Sequence, residues 1–268
     1  IFSPYPRNIP KIKGMQRVGG ISGRASAITN CQNYGKIGEE ATGTGIGGII
    51  GETSTSNINY CINKGTIEGS SHIGGIAGNL NQSYLFNCIN LEEIKAEQES
   101  AGGIGGYGAD VHYLINCYNS GRVSGNASAG GIVGLLQFIE NGFEGKIINC
   151  YNTGEIQAKT YAGGIVGLKG GYGTHYIENC YWKEELNLEC GNNNNVGYGI
   201  LEITNSREYK EKEMKEESFL QVLNHYVQTY NQGDKAFTNG EELMKWKLST
   251  EKLPMRSSEA SIRGVTTA

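Results

Sequence analysis

The chain has 268 residues, of which 41 are Gly and only 4 are Pro, and its formal net charge is −4. So much Gly with so little Pro excludes collagen and disordered Pro-Gly tracts and favours a backbone that turns often at fixed places. The negative charge predicts no binding to nucleic acid, and the lack of a stretch of about eighteen apolar residues predicts no membrane insertion.

The N-terminal stretch 1–16 contains prolines and basic residues and precedes the first repeat. We expect it to lead into the fold and to cap the first coil, because an uncovered sheet edge pairs readily with other chains. Since the sequence starts at Ile1, it reads as part of a longer polypeptide or as a trimmed product.

A Gly-Gly-Ile-x-Gly pentad recurs six times, at spacings of 28, 27, 28, 28 and 33 residues. Six cysteines recur at intervals of 30, 27, 29, 33 and 30 residues. Because two independent markers share one period, residues 17–182 form a repeat array. The longest interval contains residues 138–146, where we expect a surface insertion. The pentads start at Gly19, Gly47, Gly74, Gly102, Gly130 and Gly163, and the cysteines are Cys31, Cys61, Cys88, Cys117, Cys150 and Cys180.

The apolar runs within each repeat are short and interrupted by Gly, and none shows the i, i+3, i+4, i+7 spacing of a helix face. A repeat of about 28 residues spans at most about 92–100 Å when extended, which suffices for one three-sided coil with connecting loops. We therefore predict a mainly β fold. It is a parallel β-solenoid, expected as a right-handed β-helix, with about six coils of 27–33 residues and a small α-helical C-terminal cap.

Stacking places equivalent residues of successive repeats in columns. The residue three before each Cys is Ile or Leu, and the residue two after it is Asn in five copies of six. These positions predict an inward apolar column and a hydrogen-bonded amide ladder. An alternating strand cannot turn both the apolar residue and the Cys inward, so we expect a bend at the residue just before Cys.

The six repeat cysteines are interpreted as small apolar thiols stacked in the core, with Cys190 standing apart. A disulfide along the stack is sterically conceivable, but parallel side chains would be poorly aimed at each other. No Cys-x-x-Cys pair is present, so no zinc site is predicted.

The last copy ends on Trp182 where the others carry Asn, so we place an exit segment at 183–205 and a helical region at 206–254. Apolar residues at helical spacing predict one helix, with Ser218 as its N-cap and Gly233 at its end. A second helix is expected over residues 240–248 with Trp246 buried. Residues 255–268 show no periodicity and are predicted to be disordered.

The motifs GGI-x-G and N-C-Y-N-x-G resemble the GLUG-motif repeat family of bacterial cell-surface proteins, over residues 18–182. The later stretches EMKEESFLQVLN and MKWKLSTEKLP look like segments that follow such repeats. The third copy departs from the pattern at Leu91 and Glu92, and the second lacks Asn before Cys61. The resemblance implies a secreted or cell-surface protein, as in adhesins and the non-catalytic regions of immunoglobulin A peptidases. The family pattern transfers no catalytic residues.

No catalytic motif is evident. None of the histidines belongs to a His-Glu-x-x-His motif, and the only aspartates, Asp110 and Asp234, lie far apart in sequence. Clustered carboxylates for glycoside hydrolysis or calcium binding are therefore not predicted. We expect no enzymatic activity, no cofactor and no metal. The histidines are His72, His112, His175 and His225.

The residue after Cys is aromatic in the last three copies. If Cys points inward, Tyr118, Tyr151 and Tyr181 face outward beside Trp182, and we call these four residues the aromatic stripe. Outward rings predict binding of a glycan or of a host or cell-surface protein. The alternatives are that the C-terminal helices pack on the stripe, or that it lies inside.

The leading hypothesis is a non-catalytic repeat module for adhesion or spacing in a secreted or cell-surface bacterial protein. One alternative is a substrate-engaging accessory region of a secreted hydrolase such as an immunoglobulin A peptidase. A polysaccharide-degrading β-helix enzyme is kept as a third possibility because it would share the architecture, and fold does not imply function.

Overall fold

The computed structural model describes residues 12, 14–38, 43–111, 113–138, 144–186, 188–193, 200–233, 242–248 and 254–256. Equivalent segments of successive repeats pair side by side in chain order. Every strand pair in the resulting four sheets is parallel, as the ladders through all the coils show. The prediction of a mainly β, parallel solenoid of about six coils is therefore confirmed.

The first sheet has six strands, one from each coil, and each strand runs into the first glycine of a pentad. They are Gln16–Gly19, Thr44–Gly47, Ser71–Gly74, Ser100–Gly102, Ser128–Gly130 and Tyr161–Gly163.

The second sheet has twelve strands, because most coils contribute one strand after the pentad and another before the cysteine. In the first two coils these run together as one long strand. The strands that follow a pentad, or its equivalent in the last coil, are Ser22–Thr29, Ile50–Asn59, Ala77–Asn81, Gly105–Ala109, Val133–Phe138, Val166–Gly171 and Gly191–Asn193. The strands that precede the cysteine position are Tyr84–Phe86, Tyr113–Ile115, Glu144–Ile148, Thr174–Glu178 and Ile200–Thr204.

Two further sheets run along the solenoid. A coil in the middle of the array therefore contributes strands to four sheets, where a three-sided coil was expected. The third sheet follows the cysteines and consists of Gln32–Asn33, Ile62–Asn63, Ile89–Asn90, Tyr118–Asn119, Tyr151–Asn152, Tyr181–Lys183 and Arg207–Tyr209. The fourth sheet consists of Ile67–Gly69, Ile94–Ala96, Val123–Gly125 and Ile156–Ala158.

The bend predicted just before each cysteine is confirmed, and it separates the second sheet from the third. The residue at this corner has a φ between 51° and 59° in all six repeats. Asn tolerates this left-handed conformation better than most residues, which explains why five of the six are Asn. The corner turns both the cysteine and the residue three before it into the core. The corner residues are Asn30, Tyr60, Asn87, Asn116, Asn149 and Asn179.

The predicted amide ladder is also confirmed, and we call it the core ladder. Each Asn in it donates from Nδ2 to the Oδ1 of its equivalent in the next coil, at 2.7 Å in all four links. The same Nδ2 donates to the carbonyl oxygen two residues later, which holds the turn into the fourth sheet. These asparagines are buried, so the satisfied ladder is worth more than its exposed counterpart would be. The ladder consists of Asn33, Asn63, Asn90, Asn119 and Asn152.

The pentad glycines are required by close approach between coils. A Cβ on Gly103 would lie 2.2 Å from the carbonyl oxygen of Gly131 and 2.4 Å from Cγ of Asn119. None of the pentad glycines has a positive φ, whereas the asparagine corner does. Glycine can serve either a turn with positive φ or a close approach of two backbones, and the pentad glycines serve the close approach.

The repeat cysteines are free thiols, as expected for a stacked core column. Five of them are fully buried, and Cys31 in the first coil is partly exposed. Burial raises the pKa of Cys117 and Cys150 well above the ordinary thiol value. Cys190 is also a buried free thiol, and burial raises its pKa to about 12.

The parallel ladders continue beyond residue 182, so the predicted boundary of the solenoid lies too early. Strand Ile200–Thr204 pairs with Thr174–Glu178, and Arg207–Tyr209 pairs with Tyr181–Lys183. Ser206 occupies the cysteine position of this partial seventh coil, where its Oγ accepts the Cys180 amide proton at 2.9 Å. Because Ser206 stands where the earlier coils have a cysteine, the cysteine pattern ends at Cys180 although the coils continue.

The C-terminal region contains helix α1, Glu211–Met214, and helix α2, Glu217–Gln232. Helix α2 confirms the predicted helix that ends at Gly233, but its N-cap is Glu216, not Ser218. The second predicted helix is wrong, although Trp246 is buried as expected: Trp246–Leu248 is a strand paired antiparallel with Pro254–Arg256. This pairing also places residues 255 and 256 in regular structure, within the stretch predicted to be disordered.

Three sequence predictions fall mainly outside the described residues: the N-terminal cap at 1–16, the insertion around 139–143, and the tail from 257 onward. A short 3-10 turn, Glu184–Leu186, follows the last strand of the sixth coil. No helix in the described parts of the chain is both long and apolar enough to cross a bilayer.

Thiol accessibility tests the core column. Alkylation by iodoacetamide requires an accessible thiolate, and burial with a raised pKa removes both conditions. We expect the folded protein at neutral pH to label at Cys31 alone among the six repeat cysteines, and all of them to label in denaturant. Intact-mass and peptide mass spectrometry would measure this, and rapid labelling of Cys117 in the folded protein would contradict the stacked core.

Substitution in the core ladder tests its contribution to stability. Asn119→Ala removes the acceptor of Asn90 and the donor to Asn152, so we expect a loss of about 1–3 kcal/mol in the free energy of unfolding. Asn126→Ala is the matched control, because its amide donates to the carbonyl of Gln98 at an exposed site. We expect this control to stay within about 0.5 kcal/mol of the parent in urea titrations. Equal losses from both variants would refute the role of the ladder.

Candidate functional site

The aromatic stripe predicted as a binding surface is covered in the folded chain. Tyr118, Tyr151, Tyr181 and Trp182 are 2%, 0%, 3% and 7% exposed. The tyrosines do stack, with the ring centroids of Tyr118 and Tyr151 4.1 Å apart. The rings pack against the C-terminal region in one apolar cluster, so the alternative that the C-terminal helices pack on the stripe describes the structure.

Trp246 and Phe219 close the stripe from outside. The Trp246 ring meets Tyr151 edge-on at 5.1 Å, and Phe219 of helix α2 meets Tyr151 at 5.8 Å. Edge-to-face pairs of this kind stabilise beyond the area they bury. Trp182 points elsewhere: it belongs to the solenoid core, and its Nε1 donates to the carbonyl of Leu188 at 2.9 Å. The indole sits over Gly164, where the core ladder would otherwise continue.

The C-terminal region is held by a second column of asparagines, those at the left-handed corner, which we call the corner ladder. Asn149 donates to Asn116 and Asn116 donates to Asn87, each at 2.8 Å between Nδ2 and Oδ1. In the second coil the corner residue is Tyr60, so Asn87 donates to the neighbouring Asn59 instead. This ladder lies at the surface of the solenoid itself and is covered by residues 242–246 and helix α2.

The covering segment bonds to the corner ladder through its backbone. Oδ1 of Asn87 accepts the amide proton of Met244, and Nδ2 of Asn116 donates to the carbonyl of Met244. The carbonyl of Glu242 accepts from Asn87, and Nε1 of Trp246 donates to Oδ1 of Asn116 at 2.6 Å. Residues 242–246 therefore run along the ladder as an extended peptide. We call this segment together with helix α2 the C-terminal clamp.

Helix α2 binds the same segment through two amide side chains that are seven residues apart. Asn224 exchanges two hydrogen bonds with the backbone of Trp246, and Asn231 exchanges two with the backbone of Leu243. Residues seven apart lie on one face of a helix, so both amides meet the segment together. Nothing in the apolar spacing of this helix signalled the pairing, since that pattern marks only its buried face.

An open groove remains on the outer face of the fourth sheet, and we call it the polar groove. Its volume is about 470 Å³. Each strand of this sheet contributes one outward polar side chain, and these side chains lie in register from coil to coil. With a spacing of about 4.7–4.9 Å between strands, four strands cover about 14 Å along the stack. The groove is lined by Lys36, Thr66, Glu68, Glu93, Lys95, Arg122, Ser124 and Gln157.

Charges of both signs line the polar groove. The carboxylate of Glu68 lies 3.6 Å from Nζ of Lys36 and 3.5 Å from Nζ of Lys95. Glu97, the nearer carboxylate, and then Glu68 raise the pKa of Lys95. Arg122 donates to the amide oxygen of Gln157, a neutral partner, at 2.7 Å. Exposed pairs of this kind contribute little to stability, so these side chains can exchange partners with a ligand.

The polar groove continues into a neighbouring cavity of about 240 Å³, which shares Lys95, Ser124 and Gln157 and adds Lys159. Sequence reasoning missed this surface. The sequence does contain a signal for it. An Ile or Val lies six positions after Cys in four consecutive repeats, and the residue directly after that Ile or Val is polar each time. Those residues are Glu68, Lys95, Ser124 and Gln157.

Two ionisable side chains lie inside the solenoid in the sixth coil. Lys169 pairs in register with Leu136, and His175 pairs with Gly145, so both occupy core columns. Nζ of Lys169 donates to the carbonyls of Gly170 and Tyr172 at 2.6 and 2.9 Å, and burial lowers the pKa of Lys169 to about 8.

The imidazole of His175 stacks on Phe138 at 4.1 Å and is 1% exposed. Neither ring nitrogen has a hydrogen-bond partner among the described residues. Burial first, and the charge of Lys169 second, hold the pKa of His175 well below its ordinary value. His175 is therefore a neutral core residue.

The remaining sequence candidates are dispersed. His72 lies at the surface with Nε2 3.0 Å from a carboxylate oxygen of Glu99, and His225 is exposed on helix α2. In the parts of the chain that the structure describes, no three His, Cys, Asp or Glu side chains gather as metal ligands. His112 and Asp234 lie outside the described residues.

One solved structure shares the fold. It is a chain from Bacteroides ovatus described as a "putative immunoglobulin A1 protease", with a TM-score of 0.58 and 20% sequence identity. The similarity covers 93% of this chain and 76% of that one. At this identity the likeness shows the fold alone. No protein-family model matches the chain, and no curated protein matches it significantly, so the resemblance to the GLUG-motif repeats stays a prediction.

His175 predicts a loss of stability in acid. Its pKa is lowered on folding, so between the folded and unfolded values the unfolded chain binds more protons. Stability is then present above the unfolded pKa of about 6.5 and falls as the pH drops below it. We expect His175→Leu to flatten the fall in unfolding free energy between about pH 7 and pH 5, since a neutral side chain cannot gain the proton.

The matched control for this effect is His225→Gln, because His225 is exposed on helix α2. We expect this variant to keep the pH dependence of the parent in urea titrations at several pH values. If His175→Leu kept the parent slope as well, the acid sensitivity would arise elsewhere.

Proposed function

We propose that this chain is a rigid, non-catalytic module of a secreted or cell-surface protein, where it acts in adhesion or as a spacer. The observation that carries the proposal is the polar groove beside a filled interior. The core columns of Ile, Leu and Cys fill the solenoid, while donors and acceptors line the groove along the stacking axis. Such a groove suits an extended, hydrophilic chain such as a glycan, whose hydroxyl and carboxyl groups match amide, hydroxyl and charged side chains.

Rigidity along the axis supports the spacer role. From the second coil to the fifth, both ladders link each coil to the next, so separating two of these coils breaks side-chain hydrogen bonds as well as backbone ones. In an array of this kind the length is set by the number of coils, about 4.7–4.9 Å for each. A module of this build holds whatever is attached to its ends at a set distance.

The second candidate is a substrate-engaging accessory region of a secreted hydrolase. What favours it is the likeness to the Bacteroides ovatus chain described as a "putative immunoglobulin A1 protease". On this reading the catalytic groups belong to another part of the enzyme, and the solenoid holds the substrate.

Glycan binding tests the adhesive role. We expect the protein to bind a subset of glycans on an array, and Lys95→Ala combined with Arg122→Ala to weaken that binding at least tenfold, because both cations line the polar groove. Lys245→Ala combined with Lys247→Ala is the control, since it removes the same charge from exposed positions outside the groove. If both double variants reduced binding equally, the glycan site would lie outside the polar groove. If no glycan on the array were bound, the adhesive role would be excluded and the spacer role would remain.

The accessory role has its own measurement. Surface plasmon resonance with immobilised immunoglobulin A1 should detect binding if the chain engages that substrate, and none if it acts as a glycan adhesin or spacer. The same groove variants then show whether the polar groove makes the contact.

A further inference from the structure

The corner ladder lacks one link, between the fifth and sixth coils. Below Asn149 each amide donates to the one before it, and above the gap Asn205 donates to Asn179. Between them, Oδ1 of Asn149 has no hydrogen-bond partner among the described residues, although Asn149 is fully buried. Because Nδ2 of Asn149 is bonded to Asn116 and Leu223, its Oδ1 faces along the ladder towards Asn179. A buried acceptor without a donor destabilises the fold.

A groove opens where the link is missing, and we call it the ladder groove. It lies between the last coils and helix α2 and has a volume of about 560 Å³. Asn179 and Asn205 lie on the ladder side, and on the helix side Val222 and Tyr226 lie among Ser218, Gln221, His225 and Thr229. Val222 is 37% exposed, an apolar side chain that solvent reaches inside a groove. The groove therefore offers hydrogen-bonding groups on both walls and apolar contacts at Val222 and Tyr226, and an extended peptide can use both kinds of contact.

The chain itself shows how this ladder binds a peptide. On the earlier coils, residues 242–246 lie on Asn87 and Asn116 and exchange backbone hydrogen bonds with them, with alternate residues facing the ladder. The ladder groove continues the same column of asparagines past the point where helix α2 crosses it at Asn149. The column of corner asparagines that holds an extended backbone on the earlier coils therefore reaches this groove.

We propose that the ladder groove binds an extended peptide segment of another protein, through the backbone of that segment. The C=O and N–H groups of alternate residues pair with the amides of Asn179 and Asn205, as residues 242–246 pair with Asn87 and Asn116. Uncharged side chains of the peptide pack on Val222 and Tyr226. This inference is independent of the polar groove and of the proposed function.

A phage library of random linear peptides, panned on the full-length protein, tests the proposal. We expect enriched peptides that bind the parent protein and bind Val222→Arg at least tenfold more weakly, because the new side chain fills the ladder groove. Gln228→Arg is the matched control: it adds the same charge to an exposed site on the same helix, outside the groove. We expect it to bind within about twofold of the parent. Asn205→Asp, which keeps the left-handed corner but removes the Nδ2 donors, should also weaken binding.

The remaining outcomes overturn the proposal. A library without enriched peptides, or peptides that bind Val222→Arg as well as the parent, would exclude peptide binding in the ladder groove. A photoreactive residue placed at position 222 of the full chain identifies other occupants. A crosslink to the same chain would show that the groove holds a segment of this protein, and a crosslink to a second copy would show a dimer interface. Thermal melts of each variant confirm that loss of binding is not loss of fold.

Discussion

The fit between the core ladder and the pentad glycines is the constraint on which the rest of the structure depends. Each buried Asn bonds to its equivalent at 2.7 Å, and the second glycine of a pentad packs directly against that amide. The space is so small that a Cβ on Gly131 would lie 2.5 Å from Cγ of Asn152. The coils can therefore approach at the ladder spacing only if both residue types recur together. The last copy shows the same dependence between the Asn and the pentad glycine. Where Trp182 replaces Asn, its indole packs on Gly164 and the core ladder ends.

Much of this could be predicted from the sequence, because a solenoid repeats its constraints once per coil. The inward column three before Cys, the amide ladder and the corner just before Cys are each visible as a column of like residues. The corner was predictable because two buried positions conflict with strand alternation. The fourth sheet was not, since it depends on where the asparagine turns direct the chain. The seventh coil escaped for a simpler reason: Ser206 performs the cysteine's hydrogen bonding without being a cysteine.

The repeat pattern alone does not predict which surfaces of the solenoid are covered and which are open to a ligand. The alternation around Cys marks Tyr118 and Tyr151 as a row of neighbouring rings, and the rings do stack. What no local pattern reveals is which face a distant segment covers, here the face that meets Phe219 and Trp246. The polar groove was overlooked for the opposite reason. Its side chains differ from coil to coil, so they form no column of identical residues, although their polarity is shared.

The corner ladder connects backbone geometry to binding. Asn is favoured at the corner because it tolerates a positive φ, a purely local reason. Stacking then lines up amides at the surface of the solenoid, and every one of them brings a donor and an acceptor that must be satisfied. Asn87 and Asn116 find partners in the backbone of residues 242–246, which is how the C-terminal clamp gains its register. Asn149 donates to the carbonyl of Leu223, but its Oδ1 has no partner among the described residues. A turn chosen for its conformation thus produces a peptide-binding ladder, and the part of it that the chain does not use itself is the part available to another protein.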